Sequence, residues 1–313
     1  MDSAHNVILI GATGHIGSWV HRYLVEAGFS VTACARHRVS LPPEMERNTE
    51  WKIIDLADAD SLRKAFMSRP HHYFIHLASE KFVPNAEANP GHAIEVNVCG
   101  TAHVLAAAAA AGVRGGAFAS SWTVYQLHSA FGRDYQETDT CDPATVYGMT
   151  KRLGEDMCLS YQKSGTIPDM SILRFFNTVG GRAYPGAASQ SGFFKYVVQA
   201  ITDSTPVTIA GEDFETPDGT CMRDFIEVRD VAHAVVGFAQ HHTAGIFNIG
   251  SGVSVSLAGV VSAFERVTGK GVQRIVTAQR SGDPAYVGAD IRKISEQGFV
   301  PQYALDDMVK SSL

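Results

Sequence analysis

The chain has 313 residues, of which 45% are hydrophobic, and its 26 Lys and Arg against 32 Asp and Glu give a formal net charge of −6. That length allows a full buried core, either as one large α/β domain or as a domain with a smaller lobe. The negative charge argues against nucleic acid as a partner. We also expect no membrane partner, because we read no apolar run as long enough to span a bilayer.

Cysteine usage and the N-terminus indicate the compartment. The five cysteines are scattered, odd in number and contain no Cys-x-x-Cys pair. This pattern favours a reducing cytoplasm and argues against a disulfide framework or a metal site. Residues 1–6 contain no Lys or Arg, so we expect no secretory signal there.

Short apolar segments alternate with helical patterns through the first half of the chain. The predicted strands are 7–10, 31–34, 52–54, 73–76, 116–119 and 170–175, and the predicted helices lie near 15–27, 60–67, 93–111 and 146–163. This alternation predicts an α/β fold with a Rossmann-like, doubly wound parallel sheet and helices on both faces. We therefore expect residues 1–176 to form a dinucleotide-binding Rossmann domain.

The alternation ends near residue 180. Segments 180–186 and 216–219 are rich in Gly and Pro and read as loops, and an apolar segment follows at 246–249. We expect residues 177–313 to form mainly a smaller C-terminal substrate-binding lobe, with the chain rejoining the main sheet near 225–250.

A glycine-rich turn follows the first predicted strand. It reads Gly11-Ala-Thr-Gly14-His-Ile-Gly17 and leads directly into a helical pattern. Three glycines at this spacing are a weak signal alone, but the strand, turn and helix context is the one that a pyrophosphate-binding loop requires. Glycines permit a tight turn and close phosphate approach, and the helix N-terminus supplies free N–H groups.

Tyr147 and Lys151 are four residues apart, which places both side chains on one face of a helix. A nearby ammonium favours the phenolate, so we expect Lys151 to lower the pKa of Tyr147 from about 10 toward the working pH. Tyr147 would then act as a proton carrier. The pair Ser120-Ser121 lies between this motif and the glycine turn. Together these features predict a nicotinamide-dependent redox site.

The motifs resemble an extended short-chain dehydrogenase/reductase, most closely the UDP-glucose 4-epimerase branch of the NAD-dependent epimerase/dehydratase family. The resemblance covers nearly the whole chain. Its most specific parts are 216–228, with Thr-Pro-Asp-Gly at its start, Phe247-Asn-Ile-Gly-Ser-Gly252, and Arg280-Ser-Gly-Asp283-Pro. The resemblance implies a homodimeric enzyme that acts on a nucleotide sugar.

The resemblance also implies a role for each matching residue. The implied catalytic residues are Ser121, Tyr147 and Lys151. The implied cofactor-binding residues are Gly11, Gly14, Ile16, Gly17, Asp55, Leu56, Leu77, Ala78, Lys81, Asn97, Tyr147 and Lys151. Substrate contacts are implied for Ser121, Asn177, Arg223, Arg280 and Asp283. Guanidinium groups suit a diphosphate independently of the resemblance.

The mechanism implied by the resemblance is epimerisation through a transient 4-keto sugar. Tyr147 would take the proton of the sugar 4-hydroxyl, Ser121 would hydrogen-bond the same oxygen, and the hydrogen at C4 would pass to the nicotinamide as hydride. Binding of the nucleotide would retain the keto sugar while it turns over.

One departure from the epimerase pattern bears on the cofactor. After the second predicted strand the chain reads Ala35-Arg36, where the pattern has an acidic acceptor for the adenosine ribose. Arg36 suits a 2′-phosphate and therefore favours NADP, whereas the family favours NAD. Two alternatives to the epimerase follow: an NADPH-dependent nucleotide-sugar 4-ketoreductase, and a cofactor-sensing protein without catalysis.

Overall fold

A computed structural model describes residues 6–128, 131–280 and 282–313. The expectation of no secretory signal at the N-terminus concerns residues 1–5, which lie outside the described residues, and Asn6. The strands are β1 (Asn6–Ile10), β2 (Ser30–Ala35), β3 (Thr49–Ile53), β4 (Tyr73–His76), β5 (Gly115–Ser121), β6 (Asp169–Phe175), β7 (Asn177–Val179), β8 (Val207–Ala210), β9 (Met222–Glu227), β10 (Gly245–Ile249), β11 (Ser254–Ser256), β12 (Arg274–Thr277) and β13 (Tyr286–Val287).

The α-helices are α1 (His15–Glu26), α2 (Pro43–Glu46), α3 (Ala59–Phe66), α4 (Val83–Ala88), α5 (Pro90–Ile94), α6 (Gly100–Ala110), α7 (Val146–Lys163), α8 (Phe193–Asp203), α9 (Val228–His241), α10 (Leu257–Thr268), α11 (Arg292–Ser295) and α12 (Leu305–Ser312). A π-helical turn, Glu95–Cys99, joins α5 to α6, and a 3-10 turn, Trp122–Val124, follows β5.

The main sheet has seven strands, all parallel, in the order β10-β6-β5-β4-β1-β2-β3. The chain moves outward from β1 first through β2 and β3 and then, on the other side, through β4 to β6. This order is that of a doubly wound dinucleotide-binding fold, and it confirms the predicted Rossmann-like α/β class. Ligands of such sheets bind at the carboxyl ends of the strands, where the order reverses between β1 and β4.

Helices cover both faces of the main sheet. On one face α1 packs against α9, and Leu24 and Phe238 are buried in the core beneath them. On the other face α3, α6 and α7 bury Leu62, Leu105 and Cys158 against the sheet. Both faces are therefore apolar, as buried parallel strands require.

The helix that runs from Pro90 to Ala110 is long and apolar enough to cross a membrane by length and composition. The expectation that no segment meets this criterion is therefore wrong. Val104, Leu105 and Ala108 of this helix are at most 1% exposed and lie in the core beside the main sheet. Packing in the core thus explains the apolar composition, because the central helix of a globular protein passes the same test.

The second half of the chain has more regular structure than its loop-rich sequence predicts. In a second sheet β9 pairs with β7, β11 and β13, while β8 and β12 form a separate parallel pair. Helices α8, α10 and α12 enclose an apolar core that includes Phe194, Val261 and Phe264. The strands were missed because they are at most six residues long and alternate too briefly to give a clear period.

Candidate active site

The carboxyl ends of the parallel strands bring the motif residues to one edge of the sheet. The glycine turn follows β1, Arg36 follows β2, Leu77 follows β4, Ser121 ends β5 and Asn177 comes two residues after β6. These strands are neighbours in the sheet order. Segments far apart in sequence therefore meet at the switch point between β1 and β4.

The glycine turn leaves no room for side chains. Gly11 has a φ of +96°, and a Cβ there would lie 2.8 Å from Ala78 N, while a Cβ on Gly17 would lie 2.0 Å from Gly11 O. Helix α1 begins directly after Gly14, with no side-chain cap and no acidic residue in its first turn. Its first N–H groups are thus available to an anion, so the turn fits the pyrophosphate of a dinucleotide.

Ser121, Tyr147 and Lys151 meet between β5 and α7. Thr145 caps α7, because its Oγ1 accepts a hydrogen bond from Gly148 N at 3.0 Å. The Tyr147 hydroxyl hydrogen-bonds to Ser121, and Lys151 Nζ lies 5.8 Å from the centroid of the Tyr147 ring. The helical spacing of Tyr147 and Lys151 therefore places both side chains beside Ser121.

Burial controls the protonation of this group. It raises the pKa of Tyr147 to about 12, although the hydrogen bond with Ser121 acts in the opposite direction. It lowers the pKa of Lys151 to about 8. The Lys151 ammonium donates to Ala119 O at 2.9 Å rather than to the phenol oxygen. The expectation that Lys151 lowers the pKa of Tyr147 is therefore wrong, because burial raises this pKa and the Glu80 carboxylate acts in the same direction.

Asn97 lies in the π-helical turn and is buried behind the site. Its Oδ1 accepts a hydrogen bond from Glu80 N at 2.7 Å, and its Nδ2 donates to Glu80 O and to Thr150 Oγ1, both at 3.0 Å. Asn97 thus joins the segment after β4 to α7. No sequence pattern predicts the π turn, a feature that is frequent at functional sites.

The residues expected at the adenosine end follow β2 and β3. Arg36 is exposed directly beyond Ala35, which ends β2. Asp55 is exposed and its Oδ1 accepts a hydrogen bond from Ala57 N at 2.9 Å, whereas Leu56 is buried in the core. Along the β4 side, Leu77 and Ala78 are partly buried and Lys81 is exposed, while Ile16 packs partly buried on α1.

Two of the expected substrate residues form an ion pair. Arg223 Nη2 lies 3.4 Å from Asp283 Oδ1, and Arg223 Nη1 donates to Pro284 O at 2.8 Å. Asn177 Nδ2 donates to Asp224 O at 3.0 Å, and Arg280 is exposed. The structure thus brings Arg223 and Asp283 together and gives neither Asn177 nor Arg280 a place in that pair.

The sequence suggested no role for three side chains at the site: Thr123, Glu155 and Arg174. Thr123 Oγ1 donates to Ser121 Oγ at 3.0 Å. Behind Ser121, a buried ion pair joins Glu155 to Arg174. Glu155 stands four residues after Lys151, a helical spacing that could have identified it. Within residues 6–128, 131–280 and 282–313, no three His, Cys, Asp or Glu side chains lie close enough together to hold a metal ion.

Comparison with known proteins gives consistent matches along the chain. The model of the NAD dependent epimerase/dehydratase family matches residues 7–250. The UDP-glucose 4-epimerase of Yersinia pestis is 32% identical over 96% of this chain and 94% of its own. The UDP-glucose 4-epimerase of Brucella ovis in complex with NAD is 27% identical, with a TM-score of 0.89 over 99% of this chain and 97% of its own.

A second solved structure carries both a cofactor and a nucleotide sugar. The UDP-glucose 4-epimerase of Stenotrophomonas maltophila, with bound NAD and formylated UDP-arabinopyranose, is 27% identical, with a TM-score of 0.89 over 98% of this chain and 96% of its own. The family match extends over well more than half of the chain and includes both the glycine turn and the Tyr147/Lys151 pair. This chain therefore belongs to the NAD dependent epimerase/dehydratase family.

Proposed function

We propose that this protein is a nucleotide-sugar 4-epimerase that acts on UDP-hexoses with a bound nicotinamide cofactor. The observation that carries the proposal is the convergence of Ser121, Tyr147 and Lys151 beside a glycine turn that fits a pyrophosphate. The three relatives named above are UDP-glucose 4-epimerases, which supports the same reaction.

The residues that would hold the cofactor surround the switch point. Gly11, Gly14 and Gly17 would hold the pyrophosphate at the N-terminus of α1, and Lys151 would bind the ribose next to the nicotinamide. When bound, the oxidised nicotinamide supplies an acceptor for the hydride from C4 of the sugar. The ribose and adenine would lie along the ends of β2 and β3.

The protein's own groups would control the proton at the sugar oxygen. Tyr147 would accept the proton of the 4-hydroxyl, and Ser121, itself bound by Thr123, would hydrogen-bond the same oxygen. With a pKa of about 12, Tyr147 is a phenol at neutral pH. A positive charge nearby is needed to make it a base, and Lys151 is the residue placed to supply one.

The substrate nucleotide would bind across the second sheet. We propose that Arg223 and Arg280 bind the diphosphate with Asn177, and that Asp283 accepts a hydrogen bond from the nucleotide ribose. The Arg223 to Asp283 ion pair would then open to admit the substrate. In this division of the chain, residues 1–176 bind the dinucleotide and 177–313 mainly bind the nucleotide sugar.

Direct assay tests the proposal. The purified protein is incubated with UDP-glucose or UDP-galactose, and the two sugars are separated chromatographically. Interconversion without added cofactor is the expected result for an epimerase that recycles a bound nicotinamide. The absence of interconversion with either sugar, with NAD or NADP added, would contradict the proposal.

A second candidate, an NADPH-dependent 4-ketoreductase, is favoured by one observation. Arg36 is exposed beyond β2, and the residue before it, Ala35, is not acidic. A guanidinium there suits a 2′-phosphate, which NADP has and NAD lacks. The solved relatives named above contain NAD, which favours the epimerase.

Titration of cofactor-free protein with NAD and with NADP separates the two candidates. Tighter NADP binding that is lost in Arg36→Ala supports the reductase, while tighter NAD binding that is unchanged in the variant supports the epimerase. Stable binding of either dinucleotide without turnover of any nucleotide sugar would support the third alternative, a cofactor-sensing protein.

We propose that the protein forms a homodimer through α5, α6 and α7. Ile94, Met149 and Leu153 are 38%, 37% and 42% exposed, and Met149 and Leu153 are one turn apart on α7. Exposed apolar side chains on neighbouring helices suit a two-fold helical interface.

We also propose a cytoplasmic location, supported by five cysteines that are all free.

A further inference from the structure

A buried ion pair lies directly behind the candidate active site. Glu155 on α7 and Arg174 on β6 are 0% and 1% exposed. Arg174 Nε donates to Glu155 Oε1 at 2.9 Å, and Arg174 Nη2 donates to Oε2 at 2.7 Å. Such a pair contributes little net stability compared with apolar residues, because both charges must be taken out of water. The location of the pair, directly behind the candidate active site, is therefore more informative than its contribution to stability.

Glu155 connects α7 to the residue next to Ser121. Ser120 Oγ donates to Glu155 Oε1 at 2.6 Å. One helical turn earlier on α7, Lys151 Nζ donates to Ala119 O at 2.9 Å. Two side chains of the same helix thus hold the last residues of β5. A displacement of the Glu155 carboxylate would therefore move Ser120, and with it Ser121, relative to Lys151.

Arg174 fixes Glu155 from the neighbouring strand. Its guanidinium lies 4.7 Å from the centroid of the Tyr125 ring, and its Nη1 donates to Glu137 O at 3.1 Å. With these contacts and the two bonds to Glu155, the Arg174 side chain has little freedom to move. The Glu155 carboxylate is therefore held at a fixed height along α7.

We propose that Glu155, held by Arg174, is a positioning residue that fixes the carboxyl end of β5 against α7, so that Ser121, Tyr147 and Lys151 keep one arrangement. Glu155 does not touch the substrate or the cofactor, and Arg174 balances its charge close to the Lys151 ammonium. The inference deepens the proposed function and rests on it for the roles of those three residues.

The electrostatics of Lys151 give the pair a measurable effect. The titratable groups that act on Lys151 are Tyr147, Glu155 and Cys158 on α7 and His76 at the end of β4. Two cations pair with Glu155: Arg174 on β6, and Arg152 on α7, whose Nη1 lies 3.4 Å from Glu155 Oε2. Burial lowers the pKa of His76 to about 3 and raises that of the Cys158 thiol, so both are neutral near pH 7. Glu155 is therefore the charged neighbour that favours the Lys151 ammonium, and its pairing with Arg174 and Arg152 offsets that effect.

The test is the titration of Lys151 in cofactor-free protein, followed by NMR of carbon-13-labelled lysine and assigned with Lys151→Met. Glu155→Gln leaves the Arg174 cation unbalanced, so we expect the pKa of Lys151 to fall. Arg174→Met leaves Glu155 paired only with the partly exposed Arg152 at 3.4 Å, so we expect the pKa of Lys151 to rise. If the pair served only to stabilise the core, the two variants would not shift the pKa of Lys151 in opposite directions.

Turnover gives a second measurement. We expect both variants to lose on the order of 100-fold in kcat, with KM for UDP-glucose nearly unchanged, because small displacements of reacting groups cost about that much. Asp156→Asn is the matched control, since Asp156 is the next carboxylate on α7 and is half exposed. Asp156 shares Arg152 with Glu155, so this variant removes a carboxylate from the same cation and leaves the Glu155 to Arg174 pair intact. It should titrate and turn over like the wild type.

Three results would overturn the inference: wild-type titration of Lys151 in both variants, shifts of the same sign, or an equal effect of Asp156→Asn. If neither variant folds, Ser120→Ala carries the test, since it removes one hydrogen bond and no charge. We expect it to lower kcat at an unchanged KM, and a wild-type kcat would refute the inference. If the wild type epimerises no UDP-hexose, the proposed function fails. The Lys151 titration then still tests whether Glu155 and Arg174 act on Lys151.

Discussion

At the scale of single residues, burial determines the chemistry of the site through the protonation of Tyr147 and Lys151. Removing a group from water disfavours its charged form, so the pKa of the phenol rises to about 12 and that of the ammonium falls to about 8. At neutral pH Tyr147 is thus a phenol and most of Lys151 is an ammonium.

Tyr147→Phe should remove the proton carrier and leave the fold intact. We expect turnover to fall by about 100-fold to 10,000-fold, as is typical for the loss of one positioned acid or base. The dissociation constant of the dinucleotide should stay close to the wild-type value, because the phenyl ring still packs in place. Steady-state kinetics and cofactor titration check both parts. Near-wild-type turnover would rule out Tyr147 as the acid and base.

Arg223→Ala should weaken substrate binding much more than cofactor binding. Arg223 is buried beside Asp283, and a hydrogen bond to a charged group contributes about 1.5 to 3 kcal/mol. Calorimetry with UDP and with the dinucleotide measures each loss separately. Arg266→Ala, a change at an exposed arginine on α10, is the control and should alter neither. Equal losses for both ligands would mean that Arg223 is structural.

At the scale of elements, the strand, glycine turn and helix at residues 6–26 determine where an anion can bind. The turn brings Gly11 so close to Ala78 that β1 and β4 share one ligand-binding edge. Helix α1 then presents its first N–H groups toward the same edge. This element therefore packs against the end of β4 and leaves the N–H groups at the start of α1 available to an anion.

Gly11→Ala should abolish dinucleotide binding, because its Cβ would lie 2.8 Å from Ala78 N and the residue has a φ of +96°. Gly28→Ala is the matched control: Gly28 has a φ of +88°, but its Cβ would meet nothing within 4 Å. Both variants lose stability from the backbone strain, by about 1 to 2 kcal/mol. Only Gly11→Ala should lose the cofactor, as measured by fluorescence titration.

At the scale of the whole molecule, two properties depend on surfaces and cores together: the oligomeric state and the pH dependence of stability. The oligomeric state depends on the exposed apolar residues of α5 and α7. The pH dependence of stability depends on buried carboxylates in the second half of the chain, because burial raises the pKa of Asp224, Glu227 and Asp230.

The proposed homodimer predicts a change of mass on substitution. The wild type should have twice the chain mass of 33.7 kDa in light scattering at micromolar concentration. Leu153→Asp, which places a charge on the proposed interface, should shift the protein toward the monomer. Val300→Asp, a change at an exposed apolar residue away from α7, should not. A monomeric wild type would contradict the proposal.

Asp224 should make the protein less stable as the pH rises from about 4 to 6. Burial raises its pKa from 3.8 to about 6 in the folded state, so the folded protein binds a proton there that the unfolded chain does not. Stability from this group is greatest below pH 4 and is lost above pH 6, by about 3 kcal/mol.

Urea unfolding of the wild type and of Asp224→Asn across this range isolates the effect. Glu227 and Asp230 titrate in both proteins, so their contributions cancel in the difference. The free energy of unfolding of the wild type, relative to that of the variant, should decrease with rising pH. A constant difference would show that Asp224 has an ordinary pKa.

Short-range rules are enough to predict much of the main sheet and the candidate site. The glycine turn, the spacing of Tyr147 and Lys151 and the alternation of strands with helices each depend on residues within one or two turns of the chain. The start of β3 was placed three residues too late, at Lys52 instead of Thr49. This edge strand begins with polar residues, and pairing with β2 makes them part of the sheet.

Tertiary contacts decided the rest. Glu155 meets Arg174 across 19 positions of sequence and Arg223 meets Asp283 across 60, so neither pair has a local signature. The pKa of Tyr147 rises because distant segments exclude water from its hydroxyl, which the Lys151 spacing cannot reveal. Secondary structure and turns follow from local conformational preference, whereas burial and long-range pairing exist only once the chain has closed around the site.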